Sequence, residues 1–486
     1  MLLPFTRLGS IEDLGFGLRW DASTLAREVE RRAAALCRMQ IGRGSIVAIA
    51  HHGSAFFFAD LFAVWTAGAT AACLDGSLTE AELETIVHFA KPAAFLVAGE
   101  RAASSLPVPV LELGLAPSPA TGTFSGFELD DPALVLFTSG TTGAPKGVVL
   151  TFRALLTRVA LNEAAIGKGA LARALVTLPT HFGHGLIGNA LTPLMAGGEI
   201  VLHPTGVSLA QNLGRILDDH RITFMSSVPA LWPMAMKLGK GPLRESLVRV
   251  HVGSAPLSSA LWSNIVSWTG AEVVNCYGMT ETANWLAGAS SAAGDISDGL
   301  VGRMWGGTAA VLDDDGIQAV GEGEIVVQTP TLMSGYLNRP DLTATVVRDG
   351  WYHTGDRGTV DVSGQVRLTG RVKDEINRAG FKVQPGEIDM LLERHPAVAE
   401  VCVFGIADAV GGEVVAAAVK LAGGATETAE SLRAWCRQRL RREAVPERWF
   451  FVDEIPRTGR GKVGRDAVRR HVMKDLPNDR PGRATA

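Results

Sequence analysis

The sequence has few cysteines and no cysteine motif. Its five cysteines are spread over 486 residues without CxxC spacing, which argues against a disulfide framework or a structural zinc site. We expect reduced thiols, mostly buried. They are Cys37, Cys73, Cys276, Cys402 and Cys436.

Long uninterrupted apolar runs are also missing. The longest run, residues 56–74, is broken by Asp60 and Gly68 and is followed by Asp75, so it predicts a buried helix leading into a strand and no membrane span. Residues 1–5 lack the basic start and the long apolar core of a secretory leader. The expected location is therefore the cytoplasm.

The charge balance has no strong bias. A net charge of -4 and a pI near 6.3 give no electrostatic footprint for nucleic acid. With 47% hydrophobic and 20% charged residues the chain is typical of a globular protein, and 486 residues are enough for two or more domains.

The pattern of apolar residues predicts an α/β fold. Helical spacing from Leu25 to Leu36 precedes an apolar strand at 46–50, and a helix at 79–90 precedes a strand at 93–97. Short apolar strands between helices predict βαβ units in parallel sheets.

The pattern changes after residue 300. Gly- and Asp-punctuated strands at 309–312, 323–328 and 359–368 predict a β-rich subdomain over about 300–371. The predicted fold is a large N-terminal domain, residues 1–371, of βαβ-type sheets plus this subdomain.

A small, mobile α+β domain is predicted for the remaining residues, 372–486. Its helices are expected at 387–394 and 430–440, and its strands at 401–406 and 414–420.

The loop at 137–147, FTSGTTGAPKG, is suited to binding phosphate. Its glycines let backbone N–H groups approach an anion, four hydroxyl side chains can donate to phosphoryl oxygens, and Lys146 adds a positive charge. It is not a Walker loop, because Pro145 precedes the lysine and Gly147 follows it.

Two further clusters carry an acidic residue beside aromatic ones. In 275–282, NCYGMTET, Tyr277 is able to stack on a base and Glu281 to bind Mg²⁺, at the end of a predicted strand where open sheets bind ligands. In 350–356, GWYHTGD, Asp356 is able to accept two hydrogen bonds from a ribose diol. A capped turn and a surface hairpin are the simpler explanations.

Three other clusters have equally simple explanations. The charged segment 370–375, GRVKDE, fits a solvated linker, and 456–462, PRTGRGK, fits a mobile basic loop. In 178–185, LPTHFGHG, His181 and His184 suggest a metal only weakly, and a pocket wall or a hydrogen-bonded core histidine is favoured.

Together the six motifs resemble, in order and spacing, those of the adenylate-forming superfamily of acyl-CoA synthetases, nonribosomal peptide synthetase adenylation domains and firefly luciferase. The resemblance covers nearly the whole chain. It implies that the N-terminal domain binds ATP and an acid, and that the C-terminal domain rotates about a hinge, at Lys373, between two half-reactions.

The resemblance also implies residue roles. Glu281 would bind Mg²⁺, Tyr277 would lie beside adenine, and Asp356 and Arg371 would contact the ribose. The catalytic residues would be Lys462, Glu281, Thr280, at the α-phosphate, and Lys146. The phosphate loop would comprise Thr138, Ser139, Gly140, Thr141, Thr142, Gly143 and Lys146. Other nucleotide contacts would come from Gly253, Ser254, Ala255, Asn275, Gly278, Met279 and Lys462.

The implied activity is ATP-dependent activation of a carboxylic acid to an acyl-adenylate with release of pyrophosphate, followed by transfer to CoA. Arg378, Ala379 and Gly380 would admit the thiol. A carrier-protein phosphopantetheine, on an acyl or peptidyl carrier, is an alternative acceptor. A non-catalytic nucleotide-binding regulator is a second alternative. No oligomeric state is predicted.

The acid pocket matched by the resemblance is mainly apolar or small. Its candidates are Phe182, His184, Ser254, Ala255, Gly278 and Met279. Amino-acid-activating relatives place an Asp in the region matched by 181–184, and this sequence has none, so an α-amino acid is disfavoured. A fatty or aryl acid is predicted. The family's usual histidine falls nearest Phe182, with histidines displaced to either side.

Overall fold

The structure is a computed structural model. It describes residues 7–98, 106–115, 124, 126–138, 146–204, 206–378, 381–408, 412–457 and 463–474. It has a large N-terminal part built on two sheets and a smaller C-terminal part built on a third, which confirms the predicted α/β class.

Helices and short strands alternate at the start of the chain, as predicted. The strands are β1 (Ile11–Asp13), β2 (Leu18–Trp20), β3 (Ile46–Ile49), β4 (Thr70–Cys73), β5 (Ala94–Leu96), β6 (Val110–Leu111), β7 (Pro132–Thr138) and β8 (Lys146–Thr151). The helices are α1 (Ala22–Arg38), α2 (Ala55–Thr66), α3 (Glu80–Ala90) and α4 (Phe152–Ile166). The apolar run at 56–74 is the buried helix α2 leading into β4, which confirms that prediction.

The alternation continues in the next part of the chain. Its strands are β9 (Arg173–Val176), β10 (Glu199–Leu202), β11 (Phe224–Ser227), β12 (Arg249–Val252), β13 (Glu272–Met279) and β14 (Asn284–Ser290). Its helices are α5 (Thr192–Met195), α6 (Val207–Asp219), α7 (Leu231–Leu238) and α8 (Ser259–Thr269), preceded by a π-helix at His184–Leu191.

Short antiparallel strands dominate after residue 300. They are β15 (Leu300–Met304), β16 (Thr308–Asp313), β17 (Gly316–Gln318), β18 (Gly321–Gln328), β19 (Gly335–Tyr336), β20 (Val347–Arg348), β21 (Trp351–Val360) and β22 (Val366–Arg371), with one helix, α9 (Pro340–Val346). The prediction of a single strand at 359–368 is wrong, because two strands share this range. A turn separates β21 from β22, because Asp361 Oδ1 accepts hydrogen bonds from the N–H groups of Ser363 and Gln365.

The C-terminal part has the α+β character that the sequence predicts. Its strands are β23 (Ile376–Arg378), β24 (Phe381–Val383), β25 (Val398–Asp408), β26 (Gly412–Leu421) and β27 (Arg448–Phe451). Its helices are α10 (Pro385–Leu392), α11 (Ala429–Arg437) and α12 (Arg465–Met473).

The sheet order places distant segments side by side. One sheet runs β19-β8-β7-β4-β3-β5-β6, with parallel pairs from β7 to β6. In the largest sheet, β10, β9, β11, β12 and β13 are parallel, and antiparallel β14 and β15 continue into the β-rich strands. The β-rich segment is therefore hydrogen-bonded to the α/β sheet. No helix of the described residues is long and apolar enough to cross a membrane.

Candidate active site

The predicted phosphate loop joins two antiparallel strands. Thr138 and Lys146 are opposite each other in the antiparallel β7–β8 hairpin, at the ends of the two strands nearest the predicted loop. Five predicted nucleotide residues lie in this loop, outside the described residues. They are Ser139, Gly140, Thr141, Thr142 and Gly143.

Glu281 lies beside this hairpin because the short strand β19 connects the two. Tyr336 of β19 pairs with Val148, two residues after Lys146. The Tyr336 hydroxyl donates to Glu281 Oε1 at 2.8 Å, and the Met333 N–H donates to the Glu281 carbonyl at 2.7 Å. The predicted magnesium ligand is thereby fixed next to the strand that begins at the phosphate-loop lysine.

Tyr336 belongs to none of the six motifs, yet the composition offers a signal. The chain has only three tyrosines, and all three gather around the predicted acidic residues. Tyr277 donates to Asp356 and Tyr336 donates to Glu281, and the charge of Glu281 also acts on Tyr352. Burial, followed by the neighbouring carboxylate charge, raises the pKa of each of the three phenols. All three remain neutral donors at physiological pH.

Asp356 joins two of the other predicted nucleotide residues. The Tyr277 hydroxyl donates to Asp356 Oδ2 at 2.7 Å, and Arg371 Nε lies 3.0 Å from Oδ1. Asp356 and Arg371 are a cross-strand pair of β21 and β22, which explains their proximity. The carboxylate is 6% exposed. The negative charge of Asp356 is the main cause of the raised pKa of Arg371.

Thr280 and Glu281 lie on a single 3₁₀ turn, Thr280–Thr282, after β13. The sequence predicts a loop from residue 275, but β13 continues to residue 279 because it stays paired with β14 after its pairing with β12 ends at Asn275. Behind the turn, Thr331 Oγ1 donates to the turn's last carbonyl at 3.0 Å and accepts from buried Arg158 at 2.6 Å. Burial lowers the pKa of this arginine to about 9.

His184 is held between two serines. Its Nδ1 lies 2.7 Å from Ser254 Oγ and its Nε2 lies 2.6 Å from Ser226 Oγ. The imidazole meets the Trp285 ring edge to face, with 5.5 Å between centroids. Ser226 belongs to none of the motifs, because only the position of β11 in the sheet brings it beside the π-helix.

The other pocket candidates in this part of the chain are Phe182, Gly278 and Met279. Phe182 is half-buried and packs against the His181 ring, with centroids 4.0 Å apart. Gly278 leaves no room for a side chain, since a Cβ there would lie 2.0 Å from the Asn284 carbonyl oxygen. Met279 is half-buried.

The loop after β12 supplies the remaining candidates. Ser254 adopts a left-handed φ of 68°, and both Ser254 and Ala255 are exposed. Gly253 packs closely on the neighbouring strand. Asn275 is buried and donates from Nδ2 to the Leu300 carbonyl at 2.8 Å, so this side chain anchors β15 to β13.

The C-terminal candidates lie in another part of the fold. Lys373 is exposed on a 3₁₀ turn directly after β22. Arg378 donates to the Glu443 carbonyl at 2.8 Å, a contact within the C-terminal part. Arg457 and Val463, which flank the segment of the predicted lysine in sequence, form an antiparallel β-bridge. Lys462, Ala379 and Gly380 lie outside the described residues.

The residues of this site fit a magnesium ion that binds together with the phosphates of a nucleotide. Within the described ranges, no three His, Cys, Asp or Glu residues gather to bind a metal. Mg²⁺ in nucleotide sites is usually held by one or two carboxylates together with substrate phosphates. Glu281, at the phosphate-loop hairpin, fits that donor set.

The fold and this arrangement define a class of enzyme, the adenylate-forming ligases. The family comparison makes the assignment specific. Residues 16–337 match the model of the AMP-binding enzyme, and residues 387–462 match that of the AMP-binding enzyme C-terminal domain. The chain belongs to the AMP-binding enzyme family, which confirms the resemblance described above.

Relatives and solved structures agree with this assignment. The chain is 31% identical over 474 residues to an oxalate–CoA ligase from Arabidopsis thaliana, with 92% of each chain covered. It is 32% identical over 463 residues to a feruloyl-CoA synthase from an Amycolatopsis species, with 92% of each covered. ATP-bound MatB from Rhodopseudomonas palustris superposes with a TM-score of 0.85 at 26% identity, covering 96% of both chains. The protein is an acid–thiol ligase.

Proposed function

We propose that the protein activates a fatty or aryl carboxylic acid, with an aryl acid favoured, by means of ATP and transfers the acyl group to CoA. The observation that carries this proposal is the joining of Glu281 to the phosphate-loop hairpin through Tyr336. It supports a magnesium-nucleotide site at the point where the predicted motifs converge.

The nucleotide would extend away from the hairpin. The loop from Thr138 to Lys146 would hold the β- and γ-phosphates, and Thr280 the α-phosphate. The carboxylate of Asp356 would accept hydrogen bonds from the ribose hydroxyls, with Arg371 beside it. Tyr277 would lie along the adenine.

The first half-reaction makes a mixed anhydride. An oxygen of the substrate carboxylate attacks the α-phosphorus, a new O–P bond forms, and pyrophosphate leaves with the electrons of the broken P–O bond. The protein's part is positioning and stabilisation of developing charge, by the loop N–H groups, Lys146 and Lys462. Mg²⁺ bound by Glu281 would neutralise phosphate charge.

The second half-reaction transfers the acyl group. The thiol sulfur attacks the acyl carbonyl, AMP leaves with the carboxylate-derived oxygen, and the thiol proton is released. We propose residues 1–371 and 372–486 as the two domains, with rotation about Lys373 exchanging Lys462 for the face around Arg378. The exposed position of Lys373 at the end of β22 supports a hinge there.

CoA is the favoured acceptor over a carrier-protein phosphopantetheine, because the relatives that cover nearly the whole chain are CoA ligases. Those relatives act on oxalate and on an aryl acid, by their names. Trp285 beside His184 supports an aryl acid over a long fatty chain. The cytoplasmic location remains a prediction from the sequence.

The proposal is tested by pyrophosphate release across fatty, aryl, amino and dicarboxylic acids, with products identified by mass after addition of CoA or a loaded carrier protein. We expect acid-dependent pyrophosphate release followed by an acyl-CoA. Absence of release with every acid would overturn adenylation, and product on the carrier protein alone would overturn CoA as acceptor.

A further inference from the structure

His251 on β12 is a fully buried histidine whose ring nitrogens have no hydrogen-bond partner in the described part of the chain. Aromatic rings surround it. Its centroid lies 5.0 Å from that of Phe224, 4.6 Å from Trp285 and 5.6 Å from Trp305. The imidazole is therefore packed on its apolar surfaces and unsatisfied at both polar atoms.

A buried imidazole without hydrogen-bond partners destabilises the folded state. A buried donor or acceptor without a partner costs about 1–3 kcal/mol, and a native one calls for a water, a ligand or a functional reason. Another buried histidine has a polar partner, since His51 Nε2 lies 2.9 Å from Asp60 Oδ2. His184 is likewise bonded at both nitrogens.

The position of His251 connects it to the proposed acid pocket. In the parallel β11–β12 pair, His251 is in register with Ser226, whose hydroxyl binds His184. Trp285 meets both imidazoles edge to face, at 5.5 Å from His184 and 4.6 Å from His251. His251 is fully buried and thus lies deeper in the protein than the partly exposed His184.

The charge state of His251 limits what it can recognise. Burial lowers its pKa well below the ordinary value, and the positive Arg249 and the neighbouring His184 act in the same direction. Arg249 is itself paired, with Nη2 2.6 Å from Glu272 Oε2. The imidazole is therefore neutral, with one N–H donor and one lone pair, and it is suited to a neutral oxygen and not to a second carboxylate.

We propose that His251 is a specificity-determining residue, whose imidazole hydrogen-bonds a hydroxyl or carbonyl oxygen on the acid at the end remote from the activated carboxylate. Trp285 packs against the body of the same molecule. This inference rests on the proposed adenylation of an acid, and it names the substrate class as oxygen-substituted acids, aryl acids foremost.

Matched pairs of acids test the inference. Benzoate is compared with 4-hydroxybenzoate, and hexanoate with 6-hydroxyhexanoate, by kcat/KM for pyrophosphate release. We expect the wild type to prefer the oxygen-bearing member of at least the aryl pair by roughly 10- to 100-fold, as one lost hydrogen bond to a buried partner predicts. His251→Leu should remove the preference by raising KM for the hydroxy acid, and His251→Gln, which keeps a donor and an acceptor, should restore part of it.

The exposed His471 of α12 provides the matched control, and His471→Leu should leave the preference unchanged. Equal use of both members by the wild type, or a preference that survives in His251→Leu, would overturn the inference while leaving adenylation intact. A stronger preference for a dicarboxylate such as terephthalate would contradict the assignment of a neutral oxygen as the hydrogen-bond partner of His251. If the wild type adenylates no acid, the proposed function itself fails.

Discussion

The Tyr336 hydroxyl donates to Glu281 Oε1 at 2.8 Å, although 55 residues separate the two in sequence. β19 makes the contact possible because it adds a two-residue antiparallel strand to the edge of β8. One short strand therefore sets the distance between the phosphate-loop hairpin and the predicted magnesium carboxylate. The orientation of Glu281 depends on a residue outside every motif.

Tyr336→Phe removes this hydrogen bond and leaves the ring in place. Loss of one hydrogen bond to a carboxylate is worth about 1.5–3 kcal/mol, so we expect the Mg²⁺ concentration for half-maximal pyrophosphate release to rise roughly 10-fold or more. Titrating Mg²⁺ at saturating acid measures it. Tyr352→Phe is the neighbouring control, since it keeps the Glu281 contact. An unchanged Mg²⁺ dependence in Tyr336→Phe would refute the orienting role.

Asp356→Asn tests the proposed ribose site. The change keeps the shape of the side chain but removes the charge paired with Arg371, and it gives the acceptor position a competing amide donor. We expect the KM for ATP to rise about 10- to 100-fold, as for the loss of a charged hydrogen bond, with a smaller change in the KM for the acid. Initial-rate measurements with each substrate varied separate the two. A rise confined to the acid KM would place Asp356 in the other pocket.

The sequence was sufficient for the local features and insufficient for those that depend on sheet order. Periodicity predicted α1, α3 and the pair α2–β4, because each depends on neighbouring residues. Ser226 and His251 reach the pocket through the register of β11 and β12, and no motif contains them. The prediction of one strand at 359–368 is wrong because Asp361 forms a turn, which an apolar pattern does not show. The scarcity of tyrosine is visible in the composition, but the clustering of the three residues depends on strand pairing.

Lys462→Ala should separate the two half-reactions. Removing one charge-stabilising donor should slow adenylation by about 10²- to 10³-fold. Thioester formation from a supplied acyl-adenylate should be unaffected, because the lysine is proposed to leave the site before that step. Pyrophosphate release reports the first rate and CoA consumption the second, with Lys474→Ala on the end of α12 as control. Equal loss in both assays would contradict domain rotation.

Asp389 should make the stability of the C-terminal part depend on pH. Burial raises the pKa of this carboxyl to about 6, although Arg465 and the Val403 N–H, which donates to Oδ1 at 2.6 Å, both oppose the rise. In the unfolded chain the group ionises near pH 4, so the unfolded state loses its proton first as pH rises. The free energy of unfolding should therefore fall by about 3 kcal/mol between pH 4 and 6 from this group, and level off above it.

Asp389→Asn isolates that contribution. The asparagine side chain does not ionise. The variant's free energy of unfolding should therefore change less across pH 4–6 than that of the wild type, whatever the variant's stability at pH 7. Denaturant titrations at several pH values, followed by tryptophan fluorescence, measure the difference. Glu430→Gln, exposed at the start of α11, is the control for a general charge effect. Parallel pH profiles for wild type and Asp389→Asn would mean that the folded and unfolded states bind this proton equally well.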